Sequence, residues 1–441
     1  MRRPALFCAV GAVAMSVALQ RSSGMYELPA LWLATVASVC ALLAAAFADC
    51  KERDYLTPQL VFGGGFLYGL YCHVFQNPAF YADQGKLQGF RGLALVAFIA
   101  GSAYLCVHLR ASLQRARFIA LLLIFAVMGV ALIRASPRPF MDVWVDRQLG
   151  ARALADGHNP YSVSYPDIYR RGGQPGPFYD PRLLQNGRVI AYPYLPLIVM
   201  LDRLSFGDVR YLSLLFMLIA AWAIARLGMG ATGELAALAL LYQGRSFFLL
   251  EQGWTEPQVL AAFTVALCFA SRPSKRWPEW LAIGLSLGML AATKQYSPLL
   301  ILPLWMVIPK PARLRASLLA LLVVALTIVP FWIWDREGLL RGVVYMQIWQ
   351  PPRLDALSWM AFWGRTFGVA QLTLVPAVLG TLLALGLGLR WRSSAGRAAA
   401  TAAAAWLVFV LFNKQAFCNY DWLGGGLLCA AAAAFSKEVA S

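Results

Sequence analysis

The sequence predicts an all-α, polytopic integral membrane protein, and three observations carry that prediction. Hydrophobic residues fill 60% of the 441 positions and charged residues only 13%, against roughly 25% charged in soluble domains. Mean hydropathy is +0.61. Apolar runs near the ~20 residues that cross a bilayer recur along the whole chain. A soluble globular fold is excluded. The net charge of +17 would suggest nucleic acid in a soluble basic protein. Here the placement of the basic residues gives it another cause, and no nucleic-acid partner is expected.

Apolar runs fall at about 4–20, 28–48, 56–75, 90–109 and 117–134. After a long polar interval they resume at about 208–227, 232–250, 256–271, 277–293, 297–309, 314–334, 370–389, 398–412 and 422–436. That makes about fourteen spans. The first follows Met1-Arg2-Arg3 like a signal peptide, but no small-x-small cleavage site comes next, so it reads as a retained helix. The run at 297–309 is short enough to be tilted or broken. Gly63-Gly64-Gly65 and Gly424-Gly425-Gly426 lie inside apolar runs, where close helix packing explains them better than a phosphate cradle.

The intervals between spans alternate in character. One set is short and basic: Arg2-Arg3, Lys51 with Arg53, Arg110 with Arg115 and Arg117, Arg272 with Lys275 and Arg276, Lys310 with Arg313 and Arg315, and Arg390 with Arg392 and Arg397. All fall on one side of the bilayer as the spans are drawn, and the positive-inside rule makes that side cytoplasmic. The other set holds the unusual polar chemistry. It comprises the loop from Met141, the stretch 251–257, Lys294-Gln295-Tyr296, residues 335–366 and residues 413–421. A site at the outer leaflet would draw on such loops.

The longest polar interval opens with MDVWVDRQLGARALADGHNPY, residues 141–161. Asp142 and Asp146, four residues apart, share one face if this segment is helical. Gly157, Asn159 and Pro160 end that helix within about four turns. Residues 162–190, rich in Pro, Gly and Arg, read as an ordered loop or mobile lid. Then Tyr192-Pro193-Tyr194-Leu195-Pro196 leads into a segment too short to cross, expected to be an interfacial helix.

Other chemistries are poorly served. The eight cysteines are scattered, with Cys8, Cys40, Cys106, Cys268 and Cys429 inside apolar runs and no C-x-x-C, so no disulfide framework is expected. His73, His108 and His158 are far apart, which disfavours zinc. No Asp-x-Asp occurs in the Asp142 loop, so no required metal is predicted, although carboxylates on several outer loops leave that open. His158, beside Asn159-Pro160, reads as a turn residue.

The loop pattern resembles a known family. Asp142, Ala151, Leu154, Gly157, Asn159, Pro160 and Tyr161, followed by Tyr192, Pro193, Tyr194 and Pro196, are similar to the first outer loop of family 87 glycosyltransferases. These belong to the GT-C superfamily and include polyprenyl-phosphate-mannose-dependent mannosyltransferases. Residues 350–358 and 414–420 resemble later stretches of bacterial GT-C proteins. The likeness covers about residues 117 to 436. It implies a GT-C-like catalytic domain over 117–441, with its extracytoplasmic loop at 135–207, and additional N-terminal transmembrane helices over 1–116. It also implies sugar transfer from a lipid phosphate on the extracytoplasmic side of a bacterial inner membrane, with Asp142 as base.

Such a reaction needs a base for the acceptor hydroxyl, cations for the departing phosphate, and amides or aromatic faces for the sugars. Asp142 suits the first role. Two alternatives stand beside it: Asp142 as an acidic residue favoured at a helix N-terminus, or Asp146 as the base instead. Lys294, Arg353 and Lys414 suit the second role, with lipid head-group contact as the plainer explanation. Asp146, Gln252, Glu256, Gln350, Asn419 and Tyr420 are candidates to bind sugar or acceptor. Trp254, Trp349 and Trp359 fit an interfacial aromatic belt equally well. Arg245, inside an apolar segment, is expected to pair with Glu251 or Glu256. The expected partners are therefore membrane lipids, a polyprenyl-phosphate sugar as donor, and a glycan or glycolipid acceptor. A transporter or flippase of a lipid-linked sugar, or a non-catalytic assembly subunit, would be the competing classes.

Overall fold

The computed structural model describes residues 3–49, 56–106, 111–171, 176–271, 278–368, 373–389 and 394–438. Lys51, Arg53, Arg110, Arg272, Lys275, Arg276, Arg390 and Arg392, named above for orientation, lie outside the described residues, as do Arg2 and His108.

Every apolar run becomes helix. Before the long loop come α1 (Pro4–Ser22), α2 (Leu28–Ala46), α3 (Leu56–Phe75), α4 (Gln88–Cys106) and α5 (Ala111–Ala135). Prolines in the first turn start α1 and α2, where a missing N–H costs nothing. The loop carries α6 (Asp142–Ala155), three two-residue strands and α7 (Pro196–Arg203). After it come α8 (Val209–Leu227), α9 (Gly230–Leu241), α10 (Ser246–Gln252), α11 (Glu256–Ala270), α12 (Glu279–Thr293), α13 (Pro298–Val307) and α14 (Lys310–Trp334). Short elements follow: α15 (Arg336–Leu340), a π-turn (Arg341–Tyr345), α16 (Met346–Trp349) and α17 (Trp359–Phe367). The chain closes with α18 (Val375–Leu389), α19 (Ala395–Leu411) and α20 (Cys418–Glu438).

Six of the described helices are long and apolar enough to cross a membrane: α1, α2, α4, α5, α8 and α14. The protein is thus a helical, membrane-embedded chain. Several other apolar helices are shorter than 18 residues. The run at 232–250 is one of these in two pieces, because the helix breaks over Tyr242–Arg245 between α9 and α10. Arg245 sits at that break and makes no ion pair among the described residues. The expected pairing with Glu251 or Glu256 does not form. Instead Arg245 donates to the Asn77 carbonyl at 3.2 Å, with the rings of Phe80 and Phe248 each 5.7 Å from its guanidinium. Glu251 instead accepts from Phe80 and Tyr81 N–H at 2.6 and 2.8 Å, pinning the α3–α4 loop.

The core is continuous from Ala5 to Phe435. α1 packs on α2, α3 and α20, and α2 packs on α19. The boundary drawn at residue 116 therefore marks no break in packing. Within the glycine triplets, a Cβ on Gly65, Gly424 or Gly426 would strike Val13, Leu407 or Leu260, whereas Gly64 faces open space. Trp254 is buried against Phe248 rather than lying in an aromatic belt. Trp359 packs edge-on against Trp32 and donates to Thr35 at 3.0 Å.

Described loops meet at two ends of the bundle. At one end, Tyr26 N–H donates to Asp355 O, Gln295 to the carbonyls of Pro193 and Val343, Ser162 to Asp335, and Leu357 N–H to Ala416 O. At the other, Gln59 meets Thr232, Tyr104 meets Glu234, and Met229 N–H meets Ser436.

The small sheet in the long loop has order β1 (Tyr165–Pro166), β3 (Arg188–Val189), β2 (Leu184–Gln185), all antiparallel. Asn186 and Gly187, both at positive φ (51° and 71°), make the two-residue turn that suits a hairpin.

A buried ion pair anchors α6. Arg147 donates to Asp202 of α7 through Nε at 2.8 Å and Nη2 at 2.5 Å, with both side chains fully buried. Arg147 also donates to Ser213 of α8 at 3.2 Å and to the Gly253 carbonyl. Breaking such a pair strands a buried charge. Asp202→Ala is expected to cost about 3–5 kcal/mol, measured by thermal unfolding in detergent. Replacing both partners with apolar residues should recover most of it.

Candidate functional site

The sequence places Asp142 at the first turn of α6 and Asp146 one turn on. The helix ends as the sequence anticipates, with Gly157 at φ +78° just past the C-cap. Asn159 then accepts from Tyr161 N–H at 3.0 Å, which turns the chain. The tyrosines of the family-like motifs form a buried brace rather than a binding surface. Tyr161 donates to the Tyr194 carbonyl at 2.6 Å, Tyr165 to the Pro160 carbonyl at 2.7 Å, and Tyr192 packs between the two rings. α7, read as an interfacial helix, buries Ile198, Val199 and Asp202 beneath α6, and the exposed Leu204 and Phe206 follow it.

The two carboxylates have different surroundings. Asp142 is half-buried. Its Oδ1 accepts from Val143 N–H at 2.8 Å and its Oδ2 from Tyr179 Oη–H at 3.2 Å. Burial raises its pKa above the ordinary value, while these donors and the charge of Arg353 pull it part of the way back. Asp146 is 3% exposed and has no hydrogen-bond or ion-pair partner among the described residues. Burial first, and then the charge on Asp142, push its pKa well above the usual carboxylate range. The upward push is therefore larger at Asp146 than at Asp142.

Around this pair the remaining predicted residues fall into three groups. Arg353 lies closest in effect, since its charge reaches Asp142. Asp355 grips one edge of its guanidinium at 2.8 and 2.7 Å, and the rings of Phe178 and Phe417 lie 3.7 and 4.8 Å away. Lys414 is next to it, because Arg353 N–H donates to the Lys414 carbonyl at 2.9 Å. The Lys414 ammonium donates to the carbonyls of Ile348 and Gln350 at 2.8 and 2.7 Å. Two of its three N–H groups thus hold the backbone together, and burial lowers its pKa. Gln350 enters through that carbonyl.

Lys294 belongs to a second group, 3.4 Å from Glu256. Tyr296 donates to the same Glu256 oxygen at 3.0 Å, while the other oxygen of Glu256 is buried without a partner. Tyr420 packs edge-on to Tyr296 at 6.1 Å, and neighbouring Asn419 is buried with its carbonyl oxygen unpartnered. Tyr194 joins this group to the carboxylates, with its ring 5.2 Å from the Lys294 ammonium and the charges of Asp146 and Asp142 close by. Gln252 stands apart, buried and donating to Glu251 at 3.2 Å.

Sequence reasoning missed Tyr179, Phe178 and the Arg147–Asp202 pair. An acidic residue at the end of the apolar run 196–201 was the available signal for Asp202. Nothing local marked Tyr179. Tyr81, from the α3–α4 loop, also lies near enough to feel the charge of Asp142.

The raised pKa of Asp146 fixes a sign. Its native state holds the proton more tightly than the unfolded chain, so its contribution is fully present below the ordinary value of 3.8. It is lost as pH rises through the native value. Asp146→Asn is accordingly expected to raise thermal stability at alkaline pH, with the gain shrinking towards zero as pH falls into the ordinary carboxyl range. Melting curves across pH check this.

No known protein family matches the chain, and neither a curated protein nor a solved structure is similar to it.

Proposed function

We propose that the chain is an inverting GT-C-type glycosyltransferase similar to family 87, with about fourteen spans. It transfers a hexose, mannose by family likeness, from a polyprenyl phosphate to a hydroxyl of a lipid-linked or cell-envelope glycan. The site faces the extracytoplasmic side of a bacterial inner membrane. One observation supports this most: a half-buried carboxylate, Asp142, in reach of the field of the Arg353 guanidinium, where loops meet at one end of an apolar bundle.

In the reaction the acceptor oxygen attacks the anomeric carbon as the bond from that carbon to the phosphate oxygen breaks. The acceptor's proton passes to Asp142, and the electron pair leaves with the polyprenyl phosphate. Arg353 offers the leaving phosphate the edge that Asp355 does not occupy, with Lys414 and Lys294 adding charge at longer range. Asp146 offers a hydrogen bond to a sugar hydroxyl, and Glu256, Gln350, Asn419 and Tyr420 complete the sugar and acceptor surroundings.

A flippase or transporter would need a passage through the bundle, and the cavity between Ser16 and Gln243, whose side chains have unpartnered buried atoms, is mainly apolar. Its volume of about 10 Å³ has room for about one water and none for a lipid-linked sugar. The enzyme reading is the stronger.

Asp142→Asn should reduce transfer from a radiolabelled polyprenyl-phosphate sugar by roughly 10²–10⁴-fold while leaving the melting temperature near wild type. The wild-type rate should fall as pH drops through the raised pKa of Asp142, because only the ionised form accepts a proton. Retained turnover in the purified Asn variant would refute the assignment.

A further inference from the structure

Phe178 and Tyr179 sit on the two groups that the proposed reaction uses. The Tyr179 hydroxyl donates to Asp142 Oδ2 at 3.2 Å, as the hydroxyl of an acceptor would. The Phe178 ring lies 3.7 Å from the Arg353 guanidinium, the cation that the donor phosphate would meet. Tyr179 is only 6% exposed and Phe178 is half-buried.

Both flanks of this segment are tied down. On one side Asp167 accepts from Gly176 N–H at 2.7 Å and from Tyr169 N–H at 3.1 Å, and the Tyr169 ring packs edge-on to Phe178 at 4.7 Å. On the other, Arg182 lies 4.4 Å from the Trp349 ring, which stacks on Tyr345. Arg182 is 57% exposed and paired with Asp180, so this second tie sits at the surface, where it exchanges readily with water.

We propose that Phe178 and Tyr179 form an autoinhibitory plug over the active site, displaced when substrates bind. The proposal rests on reading Asp142 and Arg353 as the groups that meet acceptor and donor phosphate. The donor phosphate takes the place of Phe178 on Arg353, and the acceptor hydroxyl takes the place of Tyr179 on Asp142. In the absence of both, the plug keeps Asp142 from water and holds its charge beside a hydrogen-bond donor. The surface tie through Arg182 and Trp349 is the part that gives way, while Asp167 holds the other flank.

The test uses the full-length protein in detergent with two variants, Tyr179→Phe and Phe178→Ala. Reaction of Asp142 with dicyclohexylcarbodiimide is followed by peptide mass spectrometry, with exposed Asp83 as the internal reference. Each variant should label Asp142 roughly three- to tenfold faster than wild type, the return for losing one hydrogen bond or its equivalent, with Asp83 unchanged. Tyr179→Phe should also lower the acceptor KM and move the acid limb of the pH profile upward, because the lost donor had held the Asp142 pKa down. Unchanged labelling in both variants, an equal rise at Asp83, or a higher acceptor KM in Tyr179→Phe would overturn the plug. Faster labelling with no sugar transfer by any form of the protein would remove the glycosyltransferase reading and leave the plug standing.

Discussion

The orientation of α6 depends on the Arg147–Asp202 pair, and the placement of both carboxylates depends on α6. Removing two charges from water costs several kcal/mol per ion, and attraction in the interior returns that only with good geometry and further hydrogen bonds. Here the guanidinium meets the carboxylate through two nitrogens and also reaches Ser213 and the Gly253 carbonyl. An apolar contact would hold α6 about as strongly but would let it rotate. The planar fork of Arg147 fixes the rotation, since its donors point at three separate elements. A helix of 14 residues on a membrane bundle has few other means of choosing which face it turns inward.

Once α6 is fixed, two side chains of identical chemistry acquire different tasks from their neighbours alone. Asp142 lies at the helix start, where the first-turn N–H groups and the helix dipole favour negative charge. It gains a phenol donor and a distant guanidinium besides. Asp146 lies one turn deeper, without donors and within the field of Asp142. Burial raises the pKa of both carboxyls, and the charge of Asp142 adds to the rise at Asp146.

Much of this was legible in the residues, and what was not has physical causes. Each apolar run became a helix because burial of apolar surface dominates local propensity in such a chain. The Gly157 stop and the Asn159 turn were read correctly because they act within a few residues. The break at Tyr242–Arg245 was not read, since an apolar run hides a backbone discontinuity that only packing reveals. Arg245 was assigned an ion pair because charge in an apolar run is costly, but a backbone carbonyl and two rings met that need instead. The Asn186-Gly187 hairpin lies inside the interval 162–190 read as an ordered loop or mobile lid, and its two-residue turn is a local signal for it. Phe178 and Tyr179 reach across more than 30 residues to Asp142 and across more than 170 to Arg353, and no spacing rule connects such positions.

The N-terminal helices, left without a role by the family likeness, gain one from the contacts they make. Arg353 is held by Asp355, whose own backbone carbonyl accepts from Tyr26 N–H at 2.8 Å in the α1–α2 loop. Met25 bridges to Ala356 beside it, and Arg365 lies 4.5 Å from the Tyr26 ring. The α3–α4 loop, pinned by Glu251, brings Tyr81 into the field of Asp142. The direction of the Arg353 guanidinium comes from the Asp355 carboxylate behind it. The first helices thus supply the floor on which Arg353 stands. They belong to the machinery of the site even though they hold none of its chemistry.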